Sequence, residues 1–217
     1  MITEFKYSYD HDRNFGSLKN ELLSGKLKII DVGASITSHY ESQAWIEKAR
    51  FATVDLFDIP NSKLHFKGNI SLFKTWFPIL DYVKKHGKFD FCYLSHTLED
   101  ISNPKLVCNL LGDIAKRGFI AVPSKYTECK RLNNLYRGYI HHRWIYNIEN
   151  NIFKAYPKQN FLEYEKHLDD LAQKHNVNNA ELQIFWENEI HLKIVNDDFL
   201  GPNIDAVIDY YKNLHLD

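Results

Sequence analysis

The apolar positions of the chain change period several times, and each change predicts an element. Around Ser17–Leu23, Leu18 and Leu22 lie one helical turn apart, with Ser17 placed to cap the start and Gly25 to end it. The run LKIIDVG follows, continuously apolar up to Asp31-Val32-Gly33, as expected of a short buried strand. Tyr40–Lys48 has helical spacing. RFATVDLFD predicts a second strand ending near Asp55, and LHFKGNI a third ending at Gly68-Asn69. Ser71–Lys85 reads as a helix interrupted at Pro78, and KFDFCYLS as a fourth strand from Phe89 to Ser95. Asn103 and Pro104 supply an N-cap and a first-turn proline. Leu106, Val107, Leu110, Leu111 and Ile114 then form the apolar stripe of a helix that Gly118 can end. GFIAVPS is a fifth strand.

Apolar strands alternating with amphipathic helices predict βαβ units. The expected fold class is therefore α/β: a Rossmann-like, doubly wound, mostly parallel sheet. Ligands of such sheets bind beyond the carboxyl ends of the strands, at the switch point. The polar residues that matter are then those just after each strand: Asp31–Ser35, Asp55, Asn69, Ser95–Asp100 and Ser124–Glu128. From Lys125 to about Ala180 the rhythm breaks into an aromatic, Asn-rich segment, expected to be an insertion that covers the site. ELQIFWENEIHLKIVND predicts two strands joined by a tight turn near Asn188, an antiparallel C-terminal hairpin, and Ile204–Leu214 a closing helix. No repeat or low-complexity linker divides the chain. Residues 1–217 are expected to form a single domain with 125–180 as a cap and acceptor-binding segment within it.

Composition narrows the partners. With 44 % hydrophobic and 25 % charged residues and a net charge of −1, the chain has ordinary globular composition and no global field to attract nucleic acid or an anionic membrane. No run is long and apolar enough to span a bilayer, and the polar N-terminus has no apolar signal core. Cys92, Cys108 and Cys129 are scattered, without CxxC spacing; Cys92 and Cys108 sit in apolar runs as small core residues. The expected setting is the reducing cytoplasm, with a small molecule as partner, no nucleic acid and no membrane. A homodimer is left open.

The stretch FDFCYLSHTLEDISNPKLVCNLLGDIAKRGFIAVPS, together with IIDVGAS, resembles the class I S-adenosylmethionine-dependent methyltransferases, of the type 11 kind. The likeness covers roughly residues 20–125. It implies S-adenosylmethionine as cofactor. It also implies that Asp31 and Gly33 belong to the cofactor loop, where a missing side chain lets the ligand's methionine part approach. Ser35 and Thr37 stand where further glycines are usual in that family. Asp55, about 20 residues after the loop, would accept hydrogen bonds from the ribose hydroxyls. Asn69 would reach the adenine edge, and Ser95 and His96 would line the cleft under the methyl donor. SHTLED in place of an Asn-Pro-Pro-Tyr-like loop argues against a base-flipping nucleic-acid enzyme.

The acceptor end is expected in PSKYTECKRLNNLYRGYIHHRWIYNIENN, whose Ser124, Lys125, Glu128, Arg137, His141, His142 and Arg143 could face a substrate. An alcohol acceptor needs a base, for which His96, His141 and His142 are the candidates. Arg143 and Lys125 suit a phosphate or carboxylate, pointing to a sugar phosphate or sugar nucleotide. Glu128 completes the candidate catalytic set. If the segment is extended, His141 and His142 point to opposite faces. They would then not share an ion, and no metal is assigned. A metal reading would use one of them with Glu128 and Glu99 or Asp100. A further alternative is a catalytically inactive, methyltransferase-like binding or assembly protein, prompted by the glycine-poor loop.

Overall fold

The computed structural model describes residues 1–8, 10–35, 44–132, 135–169 and 181–195. The elements in chain order are β1 (Ile2–Ser8), α1 (His11–Leu23), β2 (Ile29–Val32), α2 (Ala44–Ala49), β3 (Ala52–Asp55), β4 (Leu64–Lys67), α3 (Phe73–His86) and β5 (Phe91–Ser95). They continue with α4 (Pro104–Ile114), β6 (Arg117–Pro123), α5 (Lys125–Cys129), β7 (Arg131–Leu132), β8 (Tyr136–Arg137), β9 (Trp144–Glu149), β10 (Ile152–Pro157), β11 (Glu181–Glu187) and β12 (Leu192–Ile194). Thr37 and the expected closing helix lie outside the described residues.

A seven-stranded sheet has the order β1-β11-β6-β5-β2-β3-β4. Strands β2 to β6 are parallel, and β11 runs against both its neighbours, β6 and β1. The fold is thus a Rossmann-like, mostly parallel α/β sheet, as expected. Side-chain alternation along the strands explains why it is wound on both faces. Ile30, Cys92, Leu94, Ile120 and Val122 point to one face, where Trp76 and Ile79 of α3 and Val107 and Leu111 of α4 cover them. Ile29, Phe91, Tyr93, Phe119 and Ala121 point to the other, under Phe15 and Leu22 of α1 and Trp45 of α2. Asn103 caps α4 by accepting from the Leu106 N–H at 3.1 Å, with Pro104 in the first turn.

Two expectations are corrected. Residues 181–195 do not form a hairpin. Asn188 does turn the chain with a positive φ of 62°, but β12 leaves the main sheet and pairs parallel to β10 in a separate sheet ordered β12-β10-β9. The reason is that both edges of β11 are already taken, by β1 and β6, while Leu192 is buried in the core that Phe153 and Ala155 of β10 share with α4. β1 was also not foreseen. Its sequence, ITEFKYS, has too few apolar residues to stand out, because an edge strand packs against a single neighbour, here β11.

The sheet of β9, β10 and β12 sits over the loop that follows β5. The Tyr146 hydroxyl donates to the Leu98 carbonyl at 2.9 Å, and the Trp144 indole N–H to the Ile101 carbonyl at 2.8 Å. Among the described residues no helix is long and apolar enough to cross a membrane.

Candidate active site

The chain runs outward from β2 to β3 and β4, then returns to β5 and β6 on the other side. The switch point therefore lies between β2 and β5, where adjacent loops must part. A cleft of about 290 Å³ opens there, near the lower end of ordinary ligand sites. Gly33, Asp55 and Asn69 line it from the ends of β2, β3 and β4. Thr97 and Asp100 enter from the loop after β5, and Arg143 from the segment before β9. Residues separated by more than 100 positions in sequence thus meet in one cavity.

Gly33 has φ +73°, and its N–H donates to the Val54 carbonyl at 2.8 Å. A Cβ at this position would overlap the Thr97 side chain, whose hydroxyl donates to the Gly33 carbonyl at 3.3 Å. Glycine is needed here for both conformation and space. Gly33→Ala is expected to destabilise the chain by about 2 kcal/mol, measured by urea unfolding; Gly33→Ala with Thr97→Ala should recover part of it, because removing Cγ2 and Oγ1 relieves most of the overlap but not the backbone strain.

Asp55 is half-buried, and burial raises its carboxyl above the usual range, while the Phe57 N–H donated to Oδ1 at 2.9 Å pulls it back. Asn69 is tied by an Asx turn, its Oδ1 accepting from the Ser71 N–H at 2.9 Å. Asp31 does not line the cleft. It is buried in an ion pair with Arg50 at 3.2 Å, and burial pushes its carboxyl up to about 6 against the pull of that guanidinium. Arg50 also donates to the Ser35 carbonyl at 3.4 Å, so Asp31 holds the loop through Arg50. Ser35 is exposed and outside the cleft lining. The Ser95 hydroxyl is buried at the end of β5 without a hydrogen-bond partner among the described residues.

His96 has φ +50° and is gripped by two carboxylates: Nε2 lies 2.7 Å from Glu181 and Nδ1 3.3 Å from Glu99. Burial alone would lower its pKa, but the hydrogen bonds and charges of Glu181 and Glu99 override it and hold the imidazole at about 10. At neutral pH the ring is an imidazolium with both nitrogens engaged. With both ring nitrogens facing carboxylates, the arrangement favours His96 as a cationic anchor over the general base expected of it.

His141 and His142 bring a second correction. Residues 139–142 form a turn, closed by the His142 N–H donating to the Tyr139 carbonyl at 3.2 Å, and are not extended. Both rings consequently lie on one side, their centroids 4.6 Å apart. His142 is buried and His141 exposed. Glu128, on α5, is buried behind His142, with Oε1 2.6 Å from Nδ1, while Oε2 accepts from the Lys158 ammonium at 2.7 Å. Arg143 is exposed at the cleft, and its guanidinium pairs with no carboxylate among the described residues.

Two of the acceptor-facing expectations are overturned. Ser124 is fully buried and caps α5, accepting from the Thr127 N–H at 3.2 Å. Arg137 is 1 % exposed and turned away from the cleft, into residues 160–169. Residues the sequence did not single out are Lys158 and Glu181, and Thr97 was given no role of its own. Thr97 lies inside the SHTLED loop and was legible as a loop residue. Lys158 and Glu181 act only through sheet pairing and carry no local signal.

No protein-family model matches the chain, and no curated protein matches it. Among solved structures it is similar to the plantazolicin methyltransferase BamL in complex with a triazolic desmethylPZN analog and SAH, at 11 % identity and TM-score 0.39 over 80 % of this chain and 84 % of that one. It is similar to a cyclopropane-fatty-acyl-phospholipid synthase-like protein from Lactobacillus casei, at 10 % identity and TM-score 0.36 over 83 % and 94 %. It is also similar to an S-adenosylmethionine dependent methyltransferase from Mesorhizobium loti, at 13 % identity and TM-score 0.36 over 90 % and 79 %. Likeness at this level carries nothing about chemistry or substrate.

Proposed function

We propose that the chain is an S-adenosylmethionine-dependent methyltransferase acting on a small anionic acceptor such as a sugar phosphate or sugar nucleotide. What supports this is the convergence of Gly33, Asp55 and Asn69 with Asp100 and Arg143 in one cleft at the switch point of a doubly wound sheet. The residues fit the cofactor. Asp55 offers a half-buried carboxylate with its raised pKa, which hydroxyl donors would relieve. Asp55 would take the ribose hydroxyls and Asn69 the adenine edge, with Gly33 near the methionine part and Asp31 fixing that loop through Arg50. S-adenosylmethionine, when bound, supplies an electrophilic methyl group.

In-line methyl transfer needs chiefly positioning. Arg143, with its planar fork of donors, suits a phosphate or carboxylate on the acceptor. His141 is the base candidate left at the cleft rim, since His96 is held protonated and His142 is tied to Glu128. Segment 125–180 serves as the cap over the acceptor, inside a single domain. Calorimetry with S-adenosylmethionine and S-adenosylhomocysteine tests the reading. Asp55→Ala is expected to weaken donor binding by roughly 1–3 kcal/mol. No binding of either compound to the wild-type chain at high micromolar concentration would sink it.

One observation favours a second reading, a catalytically inactive binding protein on the same scaffold. The Thr97 side chain packs onto Gly33, in the space a glycine usually leaves for a ligand. The same calorimetry separates the two.

A further inference from the structure

We propose that Asp100, His141 and His142 form a binding site for one divalent transition-metal ion of the zinc and cobalt class, at the rim of the cleft. Their ligand atoms all lie within 4.8 Å of one another. Each imidazole Nε2 is 3.8 Å from Asp100 Oδ1. That is too long for a hydrogen bond. It is close to the edge of a tetrahedron with metal–ligand bonds of about 2.0–2.1 Å, which is about 3.4 Å. On these two edges a few tenths of an ångström must close; the edge between the two histidines, within 4.8 Å, must close by up to about 1.4 Å. The two side chains that have to move are free to do so: His141 is 62 % exposed and Asp100 44 %.

The third ligand is already fixed. His142 is 6 % exposed, and Glu128 behind it is fully buried. The Glu128 carboxylate accepts the Lys158 ammonium on one oxygen and faces Nδ1 of His142 on the other, so Nδ1 carries the proton donated to it. Lys158 is held in turn by the Tyr139 carbonyl at 2.7 Å. Gly138, at φ +55°, packs so closely on Glu128 that a Cβ there would overlap its carboxylate. Every group around Glu128 therefore fixes one orientation of the His142 ring. With Nδ1 as donor, the Nε2 lone pair is presented to Asp100 Oδ1 and to the neighbouring His141. The three groups face one point, where a proton or a metal ion between them relieves the repulsion of their lone pairs. A carboxylate behind a histidine, fixing its tautomer and ring plane, is the support that metal-bound histidines have.

Two imidazoles and one carboxylate select a borderline-soft divalent ion over magnesium or calcium. Three protein ligands leave at least one position for water or for an oxygen of a bound molecule. Asp100 and Arg143 both line the cleft, so that position and the guanidinium can serve the same anionic ligand. The metal site does not rest on donor binding, because neither Asp55 nor Asn69 belongs to it; a metal ion on His141 Nε2 would take the lone pair a base needs, so it replaces the base role of His141.

The test is titration of the full, tag-free chain, freed of metal by a chelator, with CoCl2 alone, followed by visible d–d absorption. One Co2+ per chain is expected, displaced by ZnCl2. His141→Ala leaves a solvent-exposed gap and should fold normally while binding Co2+ at least about 100-fold more weakly, as should Asp100→Asn. Glu128→Gln should weaken binding about 10- to 100-fold and alter the band shape, since it changes what holds Nδ1. No absorption change in the wild-type chain at millimolar CoCl2, or equal binding by His141→Ala, overturns the site. An unaltered affinity and spectrum in Glu128→Gln overturns the positioning role of Glu128.

Discussion

Arg137→Leu is expected to destabilise the chain by about 4 kcal/mol, the largest effect of any single substitution considered. The buried guanidinium donates to four oxygens: the Leu162 carbonyl through Nε at 2.7 Å, the Cys129 carbonyl and the Asp169 carboxylate through Nη1 at 2.8 Å, and the Glu165 carbonyl through Nη2 at 2.8 Å. Hydrogen bonds from a charged donor contribute about 1.5–3 kcal/mol each, and the four share one donor, so they do not simply add. Leucine fills part of the space and satisfies none of the oxygens. Arg137→Lys keeps the charge but not the fork, and should lose about half as much. Urea unfolding gives the magnitude, and limited proteolysis gives the place. Faster cleavage within 160–169 is expected, because those residues are clamped to β8 through this side chain. A leucine variant within 1 kcal/mol of wild type, with unchanged cleavage, would show that the clamp is not needed.

The second large effect is a loss of stability at alkaline pH traceable to His96. Its folded pKa is raised from 6.5 to about 10 by Glu181 and Glu99 against the opposing effect of burial. Below about pH 6.5 the ring is protonated in both folded and unfolded chains, and its full contribution is present. As pH rises the unfolded chain loses the proton first, and the folded chain releases it only through about 10, so stability falls across that window. At about 1.4 kcal/mol per pH unit the interval corresponds to about 5 kcal/mol. The ring is 29 % exposed, and solvent screening reduces this to about 2–3 kcal/mol. His96→Asn is the proper control, because asparagine tolerates the positive φ of 50° at this position. The stability difference between wild type and His96→Asn should shrink by that amount between pH 6 and pH 10. A difference that stays constant would mean that the carboxylates do not hold the proton.

The part of the candidate cleft lined by Gly33, Asp55 and Asn69 was legible in the sequence because it is made of strand ends. A short apolar run stops where its last polar residue stops. Asp55 and Asn69 could therefore be placed from periodicity, and the resemblance added Gly33 to the same rim. The acceptor half was misjudged for the opposite reason. His141 and His142 were assigned to opposite faces on the assumption of extended backbone, whereas the turn at 139–142 sets both on one side. Gly138 carried a hint of that turn, in a stretch otherwise dominated by aromatic residues. Arg137 looked like a substrate contact because charge on a loop usually faces water. Its burial follows largely from the Leu162 and Glu165 carbonyls, more than 20 residues away, which leave no mark beside it in the sequence.

The sequence by itself determined the alternation of strands and helices, the two apolar faces of each central strand, and the N-cap of α4; its C-terminal end was misplaced, since α4 stops at Ala115 and Gly118, expected to end it, lies within β6. The features it determined are local: period, β-branching and a capping side chain act within one or two turns of chain. Only the tertiary structure decided which residues oppose one another. It paired β12 with β10 because β1 and β6 already occupy both edges of β11, and it brought Glu181 to His96 across 85 positions. It packed Thr97 onto Gly33, and it set Glu128 behind His142. Charge and chemistry are properties of side chains, but protonation, tautomer and ligand geometry are properties of neighbours, and neighbours are chosen by packing.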